Sequence, residues 1–101
     1  MEDKEKNKIS IVIPCYNEEG NIEVLYNQVN NILSDNNIEF IFIDDNSSDR
    51  TLSILEKLSK NNTNVKYLSF SRNFGHQSAL RAGLEYSTGD CTISMDADLQ
   101  H

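Results

Sequence analysis

The stretch Ile38-Glu39-Phe40-Ile41-Phe42-Ile43 is apolar at every position but one. A strand with one wet face alternates apolar and polar residues, whereas a strand covered on both faces does not. This strand therefore needs cover on both sides, and the stretches around it supply helices. Ile22, Leu25, Tyr26, Val29, Ile32 and Leu33 recur at helical spacing in one continuous stripe, which Asp35-Asn36-Asn37 breaks. Leu52, Leu55 and Leu58 face one way in a second helix, and Gly75 to Ser87 gives a third whose small residues Ala79, Ala82 and Gly83 permit close packing. Strands are expected at Ile9–Cys15, Val65–Phe70 and Cys91–Met95. The alternation of four strands with three helices predicts an α/β fold: a Rossmann-like parallel sheet with right-handed crossovers and helices on both faces.

Several local signals set the expected boundaries. Pro14 closes the first strand, and Asn17 reads as the N-cap of the first helix with Glu18 and Glu19 in its first turn. Ser47-Ser48-Asp49 can cap the second helix, and Gly89 is placed to end the third. Residues 1–8 are charged and unpatterned, and read as a flexible leader.

With 101 residues the chain is one domain at most. A net charge of −7 argues against nucleic acid, whose phosphates are bound by basic surfaces. It leaves room for a phosphate ligand if a metal ion supplies the positive charge. No apolar run reaches the length of about 20 residues that a membrane helix needs, and the first residues lack the apolar core of a signal peptide. Cys15 and Cys91 are too few for a disulfide framework. If their strands are parallel neighbours, the two thiols lie at opposite ends of the sheet, so a reduced, cytoplasmic setting is expected.

Ligands of parallel sheets bind at the carboxyl ends of the strands. Four polar clusters follow the four apolar runs and should gather there. In the first, Pro14-Cys15-Tyr16-Asn17-Glu18, Tyr16 is a large ring in a loop, suited to packing on a planar base. In the second, Asp45 or Asn46 can make an Asx-turn, which accounts for one of the two acids Asp44 and Asp45. A carboxylate at the end of a buried strand can instead accept a hydrogen bond from a nucleobase N–H, and Asp45 is the stronger candidate. In the third, Arg72 can bind a diphosphate or pair with an acid, and Gly75 allows close backbone approach at a helix N-terminus. His76 reads as a first-turn residue and Arg81 as a surface one. In the fourth, Asp96 and Asp98 repel one another unless a cation compensates them, although a capped turn is an alternative. Such a pair can share Mg2+ or Mn2+ on a nucleotide diphosphate.

Taken together, residues 9–101 resemble the N-terminal nucleotide-binding part of inverting family 2 glycosyltransferases of the GT-A fold. They are most similar to the polyprenyl-phosphate branch, which includes dolichol-phosphate mannose synthase and undecaprenyl-phosphate sugar transferases. The resemblance rests on residues 12–19, 43–51, 71–76 and 95–101. It implies that Pro14, Tyr16, Glu18 and Asp45 line the nucleoside pocket, with Asp45 on the base. It further implies that Asp96 and Asp98 hold the metal, Asp98 most directly, and that Gln100 borders the donor site. The family more often has glycine where this chain has Asn46, which also tolerates a positive φ.

The implied reaction is transfer of a sugar from a nucleotide-diphosphate sugar to an acceptor, plausibly a polyprenyl phosphate, with inversion. The resemblance also implies that the fold is truncated after the fourth strand and that the acceptor-binding part is absent. The piece is then expected to bind nucleotide without turnover, and the catalytic residue is unknown. A longer natural protein could reach the cytoplasmic face of a membrane, and an exposed edge on the fourth strand predicts self-association.

A receiver-like signalling module is the alternative from another class. It would want acids after the first strand and a phosphoacceptor aspartate after the third, where this chain has Tyr16-Asn17 and Ser71-Arg72. A dinucleotide-dependent dehydrogenase fails for lack of a G-x-G-x-x-G after the first strand.

Overall fold

The computed structural model describes residues 7–97. Its elements follow the expected order: β1 (Lys8–Cys15), α1 (Ile22–Ile32), β2 (Asn37–Asp44), α2 (Thr51–Asn61), β3 (Val65–Ser69), α3 (His76–Tyr86) and β4 (Cys91–Ser94). All four strands are parallel, in the order β3-β2-β1-β4. The direction of winding therefore reverses between β1 and β4, where such sheets open a crevice.

The two central strands carry the core on both faces. Ile11, Ile13, Phe40 and Phe42 pack under α1 and α2 with Leu25, Tyr26, Val29, Leu55 and Leu58. The alternate residues Val12, Ile41 and Ile43 pack under α3 with Ala79. Phe40 and Phe42 are fully buried, and each contributes about 2 to 3 kcal/mol relative to exposure. The small face of α3 is needed where it was expected: a Cβ on Gly83 would collide with the side chains of Val12 and Ile43.

Glu39, the single polar residue of the central run, shares the face of Ile41 and Ile43. It is buried near the amino end of the sheet, where its carboxylate accepts from Ser10 Oγ at 2.5 Å, Thr88 N at 2.8 Å and Lys66 Nζ at 2.9 Å. Lys8 Nζ stands 3.4 Å away. Burial alone would raise this carboxyl, but the hydrogen bonds from Ser10, Thr88 and Lys66 outweigh it and hold the pKa down at about 2.

Several local expectations need correction. The first helix begins at Ile22, not after Asn17, because Asn17 takes a left-handed conformation with φ 54°. Ile32 lies at the edge of the apolar stripe and is 78% exposed. Arg50, not Ser47 or Ser48, precedes α2, and the Asp49 carboxylate accepts the Thr51 N–H at 2.9 Å. Gly89 does not end α3, which stops at Tyr86. It lies against β1, where a Cβ would come within 2.8 Å of Ser10 N and 2.9 Å of Lys8 O. The first strand begins at Lys8, which the sequence places in the leader.

Candidate nucleotide site

Parallel register brings the strand ends together. Cys15 stands beside Asp44, and Val12 beside Ser94, so the segments after β1, β2 and β4 leave the sheet at one edge. The β3–α3 loop joins them, with Phe70 N donating to Asp44 O at 2.9 Å. Between these segments lies a cleft of about 470 Å³.

Five of the candidate residues line that cleft: Pro14, Tyr16, Glu18, Asp45 and Asp96. Gly75 lines it too, with Asn73, His76, Cys15, Ala79 and Ala97, which were not among the candidates. Asn73 and His76 carry no charge pattern that would mark them, and their signal is position alone, in the loop that follows a strand of this edge. Arg72 is not part of the lining. It is exposed, with its guanidinium 4.8 Å from the Phe74 ring centroid. Asp98 and Gln100 fall outside the described residues.

The side chains of this edge are held in different ways. Asp45 is buried, and its two oxygens accept Phe74 N at 2.8 Å and Gly75 N at 2.9 Å. It thereby fixes the turn into α3, whose flanking Gly75 has φ 98°, a conformation that glycine adopts without a Cβ penalty. A carboxylate has about four lone-pair sites, so Asp45 retains capacity toward the cleft. The carboxylate of Asp44, also buried, accepts long contacts of 3.3 and 3.4 Å from Ser47 N. Burial pushes the neighbouring Cys15 thiol far up, with the charges of Asp44 and Glu18 adding to it, so it stays protonated. Asn46 takes φ 60°, as its replacement of glycine anticipated. The Tyr16 ring is 49% exposed.

The charges of the cleft are one-sided. Glu18, Asp45 and Asp96 face it, and none of the described lining residues is Lys or Arg. A nucleotide diphosphate cannot settle among carboxylates unless a cation stands between them. The donors on offer are hard oxygens, which suit Mg2+ or Mn2+ held by one or two carboxylates together with substrate phosphates. Among the described residues no group of three metal-ligating side chains forms, so Asp96 would need the ligand's own oxygens or those of Asp98 to complete a site.

Comparison with known proteins bears on the same edge. The model of the family described as Glycosyl transferase family 2 matches residues 10–101. The chain belongs to that family.

Bactoprenol glucosyl transferase of Shigella phage SfX is similar to this family 2 chain at 45% identity over 95 residues. The match covers 92% of the chain but 31% of that relative's own length. Among solved structures, Staphylococcus aureus TarS in complex with UDP superposes with a TM-score of 0.76 at 28% identity, covering 90% of this chain and 27% of that one. Mycobacterium tuberculosis glucosyl-3-phosphoglycerate synthase, solved with Mn2+, UDP and glucosyl-3-phosphoglycerate, gives 0.68 at 25% identity, covering 90% and 33%. The fold is of GT-A type, and membership of family 2 sets aside the receiver-like alternative.

Proposed function

We propose that this chain supplies the donor-nucleotide site of a glycosyltransferase that moves a sugar from a nucleotide-diphosphate sugar to a polyprenyl phosphate with inversion at the anomeric carbon. The observation that carries the reading is the cleft itself, in which an exposed tyrosine and three carboxylates stand together with no lysine or arginine among the described lining residues. In this reading Tyr16 packs on the base, the free lone pairs of Asp45 accept a base N–H, and Pro14 and Glu18 close the wall around the nucleoside. Asp96 and Asp98 hold Mg2+ or Mn2+, and Gln100 borders the donor site. Arg72 takes part only by leaving the Phe74 ring. When bound, the metal supplies Lewis-acid stabilisation of the departing nucleoside diphosphate.

The names of the phage relatives support a lipid-phosphate acceptor. A phosphate acceptor is already an oxyanion, so this chain needs to contribute no strong base to its attack. Such an acceptor is a membrane lipid, so in this reading the reaction takes place at a membrane surface, which we propose is the cytoplasmic face. Among the described residues no helix is long and apolar enough to cross one. The β4 strand is exposed along its length, Ile93 included, and we propose that it drives self-association. Light scattering that returns a monomer at all concentrations would count against that part.

Calorimetric titration of UDP and GDP, with and without Mn2+, tests the donor site. Metal-dependent binding that is lost in Asp96→Ala and Asp98→Ala supports it and identifies the base. Metal-independent binding, or binding that survives both substitutions, refutes the assigned roles.

A further inference from the structure

The β1–α1 and β2–α2 loops bind each other through their backbones. Three successive N–H groups of the first loop are accepted by side chains of the second and of the first residue of α2: Asn17 N by Ser47 Oγ at 2.8 Å, Glu18 N by Thr51 Oγ1 at 2.8 Å and Glu19 N by Asp49 Oδ2 at 3.2 Å. Three successive N–H groups of the second are accepted by side chains of the first. Asn17 Oδ1 takes Ser48 N at 2.8 Å and Asp49 N at 3.3 Å, and Glu19 Oε1 takes Arg50 N at 2.8 Å. Six backbone donors that would otherwise face water are thus satisfied across about 30 residues of sequence.

Asn17 is the one side chain that accepts two of these N–H groups, and it also takes the left-handed conformation on which the turn depends. The residues on either side of it, Tyr16 and Glu18, both line the cleft. We propose that Asn17 is a positioning residue for nucleotide binding: by tying its loop to the β2–α2 loop it sets the Tyr16 ring and the Glu18 carboxylate in place before the ligand arrives. The inference rests on the donor-site reading above. A loop ordered in advance is not ordered at the ligand's expense, so affinity should depend on the tie although Asn17 itself does not line the cleft.

Three variants separate the tie from the turn. Asn17→Gly keeps the left-handed backbone and removes the carboxamide, Asn17→Ala disturbs both, and Asn17→Asp keeps an acceptor in place. The readouts are UDP affinity in the presence of Mn2+, amide hydrogen exchange, and the urea midpoint. Asn17→Gly is expected to weaken UDP binding roughly tenfold and to speed exchange at Ser48 and Asp49, with the sheet amides and the midpoint nearly unchanged. Asn17→Asp should restore most of the affinity. If wild-type protein binds UDP and Asn17→Gly binds it equally well, the positioning role is overturned while the donor site stands. If Asn17→Gly loses affinity only in proportion to a lowered urea midpoint, the residue is merely structural and the proposal is again overturned. If folded wild-type protein binds neither UDP nor GDP, the donor-site reading falls and takes this role with it.

Discussion

The two ends of the sheet treat carboxylates in opposite ways. At the amino end the buried Glu39 is surrounded by two lysines, two hydroxyls and a backbone N–H. At the carboxyl end Glu18, Asp45 and Asp96 share a cleft whose described lining holds no lysine or arginine. The amino end is electrostatically complete within the protein, and its work is to hold the α3–β4 turn against β1. The carboxyl end is left incomplete by the chain alone. On the donor-site reading proposed above, a cation bound with a phosphate ligand would supply the positive charge that this end lacks.

Breaking the amino-end network should produce the largest effect. Glu39→Ala removes the acceptor of Ser10, Thr88 and Lys66 at once and should cost about 3 kcal/mol by urea unfolding, without changing nucleotide affinity in the folded fraction. A change in affinity would show that the two ends are coupled. Acid should act on the same group. Its folded pKa, about 2, lies below its ordinary 4.5, so the stability it contributes is full above pH 4.5 and is lost as pH falls from there toward 2. Part of that loss should be missing from the unfolding profile of Glu39→Gln.

The next effect is steric. Gly89→Ala pushes a methyl group against the β1 backbone at Lys8 and Ser10 and should cost about 2 kcal/mol, read as a lowered melting temperature. The smallest change in stability belongs to the carboxyl end. Asp96→Asn removes one uncompensated charge and should leave the urea midpoint within about 0.5 kcal/mol of wild type, while Mn2+-dependent UDP affinity falls at least tenfold by calorimetry. A clear loss of stability in Asp96→Asn would mean that Asp96 is part of the scaffold and would erase the contrast between the ends.

The sequence made the architecture readable because each apolar run is long and bounded. The unbroken run of β2 foretold cover on both faces, and the small residues of α3 foretold close packing. Most strand ends lie within one residue of expectation. What misled was capping. Asn17-Glu18-Glu19 has the composition of a helix start, but its three backbone N–H groups and the Asn17 and Glu19 side chains bond to residues 30 or so positions away, and nothing in a local pattern distinguishes the two uses. At the site, charge drew attention to Arg72, whose side chain lies on Phe74 outside the cleft, while Asn73 and His76 line it. Which side chains of a loop face inward depends on how the loop is pinned, and here the pin is Asp45 from the loop after β2.

The two cysteines differ in a way that is of practical use. Cys15 is shut in at the base of the cleft as a neutral thiol, whereas Cys91 is exposed at the start of β4, beside Ile9 and far along β1 from Cys15. Only the thiolate reacts with alkylating reagents, so a maleimide fluorophore should attach to Cys91 alone without further engineering. It would sit on the exposed strand at the end away from the candidate nucleotide site and report whatever docks along that edge.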